Sequence, residues 1–311
     1  MSFVEIPGNP VPEGAREQRF KGVGGLEIRT MTAPAQGAAR GSIILCPGRT
    51  EFIEKYFETI AKLQARGFAV MCIDWRGQGL SDRETREQEK GHIGDFDRAA
   101  RDLGEAVRRN ADRLPRPHIL LAHSMGGALS LLALQKRYLT VEGAVFSAPM
   151  WGIAALKGSA LNAARAAAAL GFGKAYAPGA TKAWSREPFE GNPVTHDAAR
   201  HKRAMDLIEK EPKLALAGPT IGWAASAAGV MAGFQKPGAL KPLAMPVLVA
   251  TAEEEKLVDN AAHARVVAQL PNATHIVIPG AMHEIMMETD DRQKPFWDAF
   301  DALVQRVVPG K

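Results

Sequence analysis

The chain has 311 residues, of which 46% are hydrophobic and 23% are charged, and its formal net charge is +5 at pH 7. This length allows one large domain or two modest ones with a sizeable core, and the composition is ordinary for a globular protein. The small positive charge could favour an anionic surface such as a phospholipid layer, and it does not resemble a nucleic-acid footprint. Because the basic residues are scattered among acids, an ordinary solvated surface is the favoured interpretation.

Two cysteines and the N-terminal segment indicate the compartment. Cys46 and Cys72 lie in the separate apolar runs "SIILCPG" and "FAVMCID" without CxxC spacing, so we expect reduced core thiols. The segment "MSFVEIPGNPVPEG" lacks the apolar region of a signal peptide, and no run has the length needed to span a bilayer. These features predict a soluble cytoplasmic protein, at most peripheral at the inner face of the membrane.

The predicted elements begin with two short strands around a Gly-Gly turn, in "RFKGVGGLEIRTMTAP". After them, short apolar strand-like runs alternate with amphipathic stretches of helical length. Strands are predicted in "GSIILC", "FAVMCID", "HILLAH" and "VEGAVFS", and helices in "YFETIAKLQARG", "FDRAARDLGEAVRRNADRLP" and the segment after "HSMGG". This alternation is typical of βαβ units, so we predict an α/β fold with a mostly parallel central sheet flanked by helices.

The alternation stops between about Met150 and Ala239, where the segments are helical and partly alanine-rich. Strands return in "MPVLVATA" and "THIVIP", and "KPFWDAFDALVQRVV" predicts a closing helix. A connection of about ninety residues is far longer than an ordinary crossover. We therefore predict a core formed by residues 1–149 and 240–311, with a helical cap inserted at residues 150–239.

Three polar side chains follow predicted strands: Ser124 after "HILLAH", Glu255 after "PVLVATAEE", and His283 after "THIVIPGAM". Functional groups gather at the carboxyl edge of such sheets, so we expect these side chains to meet. A serine hydroxyl needs an imidazole to take its proton, and the imidazole needs a carboxylate to hold its tautomer. The chain order of serine, acid and histidine predicts a site with a serine nucleophile.

The residues around Ser124 suit a sharp turn from a strand into a helix. Such a turn requires small residues two positions before and after the serine, and these are Ala122 and Gly126. The backbone N–H of Met125, at the start of the helix, is expected to point toward the developing oxyanion. The turn in "PGRTEF", after an earlier strand, could aim the Arg49 N–H into the same site.

The acid is the least determined of the three residues. Glu253, Glu254 and Glu255 are consecutive, and Asp259 follows them. Most glutamates in such a run face solvent, and an aspartate just before a helical segment is explained by N-capping. Glu255 is favoured as the acid, with Asp259 as the next choice.

Several further residues are candidates for the substrate pocket. His123 neighbours Ser124 and is expected to pack beside it or to line the pocket rather than to act as the base. Aromatic residues of the insert could line an acyl-chain pocket, although cap aromatics more often form the cap's own core; they are Trp151, Trp184 and Trp223. The loop "DWRGQGLSD" lacks the third glycine of a dinucleotide fingerprint, so a structural turn is expected there.

Taken together, these motifs resemble the α/β-hydrolase superfamily, and more closely its bacterial lysophospholipase and monoacylglycerol lipase branch. The resemblance is carried by "CPGRTEFIEKY", "GFAVMCIDWRGQGLSDR", "LLAHSMGG", "NPVTHDAAR", "AEEEKLVDN" and "GAMHEIMMETD", which span nearly the whole chain. It implies the α/β-hydrolase fold, with Ser124 as nucleophile, Glu255 as acid and His283 as base. It assigns the oxyanion donors to the backbone of Arg49 and Met125.

The chain departs from this family pattern at four places. The usual motif around the serine has glycine where Ala122 stands, and this added methyl is the mildest departure. Many relatives have aspartate where this chain has Glu255, and glycine where Ala252 stands. Lipase relatives often have histidine-glycine at the oxyanion loop, where this chain has Pro47 and Gly48. The last difference matches the lysophospholipase side of the branch.

The resemblance implies a serine hydrolase that cleaves carboxylic esters of single-chain lipids, a lysophospholipid or a monoacylglycerol, without metal or organic cofactor. Two alternatives stay open. The same triad could transfer the acyl group to an alcohol other than water, as an acyltransferase. A non-catalytic binding protein could have retained the fold. No oligomeric state is predicted.

Overall fold

An eight-stranded sheet forms the centre of the computed structural model, which describes residues 3–153 and 159–308. Its strands are β1 (Arg16–Lys21), β2 (Glu27–Ala33), β3 (Gly41–Cys46), β4 (Phe68–Asp74), β5 (His118–His123), β6 (Gly143–Ser147), β7 (Val247–Ala252) and β8 (Ala273–Ile278). Their spatial order is β1-β2-β4-β3-β5-β6-β7-β8. Strand β2 is antiparallel to β1 and β4, and every other neighbouring pair is parallel. The predicted α/β fold with a mostly parallel sheet is confirmed.

Helices cover both faces of this sheet. The described helices are α1 (Phe57–Ala65), α2 (Phe96–Arg109), α3 (Ser124–Gln135), α4 (Ser159–Ala169), α5 (Ala198–Lys210), α6 (Ile221–Phe234), α7 (Asn260–Val267) and α8 (Asp290–Val307). Helices α2 and α3 share one core cluster with Ile44 and Leu120, whereas α1 and α8 share another with Ile43 and Ile119. Because successive strand side chains point to opposite faces, these central strands are buried on both sides.

The two cysteines lie inside this core. Cys46 ends β3 and Cys72 lies on β4, and both are free and fully buried. Burial raises the pKa of both thiols. They are therefore the inert core thiols that the sequence predicts.

The chain between β6 and β7 contains three described helices, α4, α5 and α6. Helix α6 packs against α3 through Trp223, Ala227 and Met231, which are buried in the same core cluster as Leu129. Helix α5 forms a smaller cluster with the loop after β3. Of the predicted cap, residues 154–158 lie outside the described residues. Among the helices that the structure describes, none combines the length and the hydropathy needed to cross a membrane.

Candidate active site

Ser124 lies at the junction of β5 and α3, where the chain turns sharply from the strand into the helix. Its φ angle is 48°, in the left-handed region that residues other than glycine rarely adopt. The turn brings Gly126 against the loop after β3, so that a Cβ atom on Gly126 would lie 2.2 Å from the carbonyl oxygen of Cys46. Ala122 is fully buried on β5. Close packing at this turn therefore explains why the residues two positions before and after Ser124 are small.

Ser124, His283 and Glu255 form a chain of hydrogen bonds. The Nε2 atom of His283 lies 2.9 Å from Oγ of Ser124, and its Nδ1 atom lies 2.7 Å from Oε2 of Glu255. A carboxylate only accepts hydrogen bonds, so Nδ1 carries the proton and Nε2 is left to accept the serine proton. The structure therefore brings together three residues that are distant in the sequence, in the geometry that activates a serine.

The carboxylate of Glu255 is held by backbone donors as well as by His283. Its Oε1 atom accepts the N–H groups of Leu257, at 2.7 Å, and Val258, at 3.2 Å. Burial raises the pKa of Glu255, but the hydrogen bond and the charge of His283, together with these two N–H groups, outweigh it and lower the pKa below its usual value. The side chain is thus kept ionised and aimed at the imidazole.

The other candidate acids have different partners. Oε2 of Glu253 accepts the N–H of Gly280, and Oε2 of Glu254 lies 3.4 Å from Nε2 of His196. Asp259 caps α7 by accepting the N–H of Ala261. Among these four acids, the structure places Glu255 against His283. The capping interpretation of Asp259 matches its geometry.

Two backbone N–H groups in the segments around Ser124 have no protein acceptor in the described part of the chain: those of Arg49 and Met125. Met125 is the second residue of α3, where the helix dipole favours negative charge. Arg49 follows Gly48, at which a Cβ atom would lie 3.1 Å from Cβ of Ser124. Met125 directly follows Ser124, and Gly48, the residue before Arg49, packs against Ser124, so the assignment of these two N–H groups as oxyanion donors stays a prediction.

A buried ionic network supports the oxyanion loop. The carboxylate of Glu51 accepts the N–H of Gly48 and the hydroxyl of Tyr56. The ammonium of Lys55 bridges Glu51, at 2.9 Å, and Glu284, at 2.6 Å. Burial raises the pKa of Glu51, but Lys55 and the hydrogen bonds bring it down to about 2. Sequence reasoning missed this network; its one local signal is the spacing of four between Glu51 and Lys55.

His123 lies beside His283, and Trp223 lies beside Met125, the residue after Ser124. Nδ1 of His123 donates to the carbonyl oxygen of Ser147 at 3.1 Å, and its ring centroid is 4.8 Å from that of His283. Burial is the main cause of the lowered pKa of His123. The indole N–H of Trp223 points at Sδ of Met125, 3.3 Å away. Both side chains therefore form part of the wall around Ser124.

The other two tryptophans have different surroundings. Trp151 is fully buried in the core, where its N–H donates to the carbonyl oxygen of Gly127 and its ring contacts Phe146. Trp184 lines a small cavity of about 120 Å³ that also contains Lys55 and Glu284. Of the three predicted pocket tryptophans, Trp223 is the one that the structure places against the nucleophile's neighbour.

The glycines of the "DWRGQG" loop serve a turn rather than a phosphate cradle. Gly79 has a φ of 56°, and a Cβ atom there would overlap the carboxylate of Asp74. That carboxylate accepts the N–H groups of Ile53 and Leu80. Within residues 3–153 and 159–308, no group of three or more His, Cys, Asp or Glu side chains is placed to hold a metal ion.

Comparison with known proteins finds one family and several relatives that match most of this chain. The family described as serine aminopeptidase, S33, matches residues 37–290. Lysophospholipase L2 of Escherichia coli strain K12 is 35% identical, over 88% of this chain and 83% of that protein. A probable lysophospholipase L2 of Haemophilus influenzae is 30% identical, over 86% and 84% of the two chains.

Solved structures share the fold. A soluble variant of monoglyceride lipase from Saccharomyces cerevisiae, in complex with a substrate analogue, superposes with a TM-score of 0.77 over 100% of both chains, at 18% identity. The monoacylglycerol lipase of Paleococcus ferrophilus superposes with a TM-score of 0.68, over 89% of this chain and 98% of that one, at 19% identity. The architecture seen here is thus that of known hydrolases.

Proposed function

The chain belongs to the serine aminopeptidase S33 family of α/β-hydrolases, in its lysophospholipase-like branch, and from this we propose that it hydrolyses carboxylic esters of single-chain lipids. The observation that carries the proposal is the hydrogen-bonded chain from Ser124 through His283 to Glu255. Its relatives include proteins named lysophospholipase L2 and structures named monoacylglycerol lipase. Both names denote hydrolases of an acyl ester with one fatty chain.

In the proposed acylation step, Oγ of Ser124 attacks the ester carbonyl carbon while Nε2 of His283 takes the hydroxyl proton. The carbonyl oxygen becomes an oxyanion that accepts the N–H groups of Arg49 and Met125. His283 then gives its proton to the leaving alcohol, the ester C–O bond breaks, and the acyl group stays on Ser124. Glu255 stabilises the imidazolium while it carries the proton.

Deacylation repeats these steps with water as the nucleophile. His283 takes a proton from water as the oxygen attacks the acyl carbon, and the same two N–H groups hold the second oxyanion. The proton then returns to Oγ of Ser124, and the fatty acid leaves. An alcohol bound in place of water would make the reaction an acyl transfer, so product analysis separates hydrolysis from transfer.

We propose that residues 150–239 form a cap that shelters the acyl chain. Helix α6 lies over α3 and places Trp223 against Met125, directly beside the nucleophile. Apolar side chains at this position suit a fatty chain, since pockets for such ligands need an apolar lining.

Contact with a membrane surface is part of the proposal. Leu170 and Phe172, at the end of α4, are exposed by 76% and 60%. Large apolar side chains at this exposure, on a chain of net charge +5, suit contact with an anionic bilayer. The buried free thiols suit a reducing compartment, and they support the proposal that this contact is at the inner face of the membrane.

A substrate panel tests the proposed function. The wild type and Ser124→Ala are assayed on short p-nitrophenyl esters, a monoacylglycerol, a lysophospholipid and an aminoacyl p-nitroanilide, with and without added glycerol. We expect the lipids to release fatty acid and the variant to be inactive. Activity confined to the short esters would remove the lipid assignment, and activity confined to the anilide would make the chain a peptidase. Acyl-glycerol products would indicate a transferase, and a wild type inactive on the whole panel would leave a binding protein.

A further inference from the structure

Arg49 is half-buried as a residue, and it differs from the fully buried arginines Arg29 and Arg76 because no carboxylate in the described part of the chain pairs with its guanidinium. Arg29 is paired with Glu54 and Asp74, and Arg76 is paired with Asp102. For Arg49, Nη2 donates to the carbonyl oxygen of Ala217, while Nε is buried without a hydrogen-bond partner. Burial lowers the pKa of Arg49 to about 10. A buried cation with unused donors is costly unless an anion joins it.

Arg83 shows that a lowered arginine pKa is not always accompanied by an unpartnered donor. Burial also lowers the pKa of Arg83 to about 10, although nearby acids raise it. Its Nε, Nη1 and Nη2 atoms all donate to carbonyl oxygens, those of Gln88, Ser81 and Lys213. The donors of Arg83 are satisfied near the surface, whereas the Nε atom of Arg49 is not.

The position of the guanidinium points to the substrate. The backbone N–H of Arg49 is an oxyanion donor, so its side chain starts at the reacting carbonyl. The guanidinium lies over the ring of Trp223, 5.6 Å from the centroid, and Trp223 contacts Met125 beside the nucleophile. A Cβ atom on Gly91 would come within 2.3 Å of Nη2, so this glycine leaves the space that the guanidinium occupies.

We propose that the Arg49 guanidinium binds the phosphate of the substrate's headgroup, so that the enzyme prefers lysophospholipids to monoacylglycerols. This inference rests on the proposed function and extends it to the choice of substrate. In a lysophospholipid, the glycerol carbons separate the acyl ester from the phosphate by a length similar to that of an arginine side chain. An arginine whose backbone holds the oxyanion can therefore reach the phosphate of the same molecule, and its planar fork matches phosphate oxygens.

Substrate selectivity tests the inference. The ratio of kcat/KM for a lysophospholipid to that for the monoacylglycerol with the same acyl chain is measured in the wild type, Arg49→Met and Arg49→Lys. Methionine keeps an apolar stem on Trp223 and removes the charge, so we expect the ratio to fall about tenfold or more. Lysine keeps the charge and loses the fork, so an intermediate ratio is expected. Equal losses on both substrates would mean that Arg49 only ties the oxyanion loop to the cap, and would overturn the inference.

Arg83→Met is the matched control, because it removes another arginine with a lowered pKa from a loop away from Ser124. We expect its selectivity ratio to equal that of the wild type. A fall as large as that of Arg49→Met would attribute the effect to overall charge and overturn the inference. Fluorophosphonate labelling of each variant shows whether its serine site is assembled.

Inhibition of short-ester hydrolysis separates this inference from the proposed function. In the wild type we expect sn-glycerol 3-phosphate to compete with a p-nitrophenyl ester more strongly than glycerol or inorganic phosphate does, and Arg49→Met to lose this difference. If inorganic phosphate competes equally well, the site binds free phosphate and the headgroup assignment is wrong. If the wild type cleaves both lipids without such inhibition and without a change of ratio in Arg49→Met, the inference fails and the proposed function stands. If it cleaves neither lipid, the proposed function fails instead.

Discussion

The ammonium group of Lys55 lies 2.6 Å from the carboxylate of Glu284, the residue directly after His283. The same ammonium also pairs with Glu51, whose carboxylate accepts the N–H of Gly48 in the oxyanion loop. One cation therefore joins the loop that carries the proposed oxyanion donor to the loop that carries His283, the proposed base. The two halves of the site are held together by charge rather than by a shared strand.

Lys55→Met tests this connection. The substitution leaves two buried carboxylates without their cation, so we expect the free energy of unfolding to fall by roughly 3–5 kcal/mol. We also expect kcat to fall more than KM changes, because the oxyanion loop and the histidine lose their common support. Denaturant unfolding and steady-state kinetics measure the two effects.

Lys62→Met is the control for this prediction. Lys62 pairs with Glu58 at 3.0 Å on a partly exposed surface, so its loss should cost about 1 kcal/mol or less. Equal costs for the two lysines would show that the Lys55 network contributes no more than a surface pair.

The identity of the acid is tested by comparing Glu255→Gln with Asp259→Asn. Glutamine cannot hold His283 in the productive tautomer or stabilise the imidazolium, so we expect kcat to fall by about 10³–10⁴-fold. Asparagine is as good an N-cap as aspartate, so Asp259→Asn should retain kcat close to that of the wild type. Ester hydrolysis by both purified variants is the measurement. The reverse ranking would make Asp259 the acid.

Close packing around the serine turn predicts that Gly126 tolerates no side chain. In Gly126→Ala the Cβ atom would lie 2.2 Å from the Cys46 oxygen and 2.4 Å from the Pro47 oxygen, and both are backbone atoms that cannot swing away. We expect loss of esterase activity together with a lower melting temperature. Gly233→Ala is the matched control, since nothing lies within 4 Å of its Cβ position in α6, and it should stabilise the protein by roughly 0.5–1 kcal/mol. Wild-type turnover by Gly126→Ala would contradict the close packing of the strand-to-helix turn at Ser124.

Because His263 is buried in its neutral form, we expect the folded protein to lose stability on acidification. Its Nε2 atom donates to the carbonyl oxygen of Pro149, and its Nδ1 atom accepts from Thr251, so the ring is buried and neutral. Burial lowers the pKa of His263 to about 4. In the unfolded chain His263 binds a proton near pH 6.5, whereas in the folded protein it stays neutral down to about pH 4. The stability that depends on neutral His263 is therefore complete above pH 6.5 and is lost as the pH falls toward about 4. Over this range we expect a loss of about 3 kcal/mol from this residue.

His263→Gln isolates that contribution from the other histidines. Glutamine can donate to Pro149 and accept from Thr251, but it does not titrate. The free energy of unfolding of both proteins is measured from pH 7.5 to about pH 4. We expect the variant to lose less stability than the wild type across the interval; parallel curves would show that His263 is not the group responsible.

Much of the fold and of the serine site follows from local sequence patterns. The strands that precede Ser124, Glu255 and His283 could be located because apolar runs and turns alternate, and parallel strands bring their carboxyl ends to one edge. The choice among three consecutive glutamates could not be made in this way, because it depends on how the turn after β7 directs each side chain. In the structure, the N–H groups of Leu257 and Val258 hold Glu255 in place.

Long-range contacts account for what the sequence did not indicate. Lys55 and Glu284 are 229 positions apart, and no local pattern pairs them. The three insert tryptophans looked equivalent in sequence, yet Trp151 lies in the core beside Phe146, whereas Trp223 contacts Met125. Packing of α6 on α3, which no periodicity specifies, makes this difference.

Covalent labelling with a fluorophosphonate, followed by peptide mapping, tests whether Ser124 is an activated nucleophile. The reagent phosphonylates a serine hydroxyl only where a base has activated it. We predict one label per chain, on the peptide that contains Ser124, with no label on Ser124→Ala and strongly slowed labelling of His283→Ala. An unlabelled wild type, or a label on a different residue, would show that Ser124 is not the activated nucleophile.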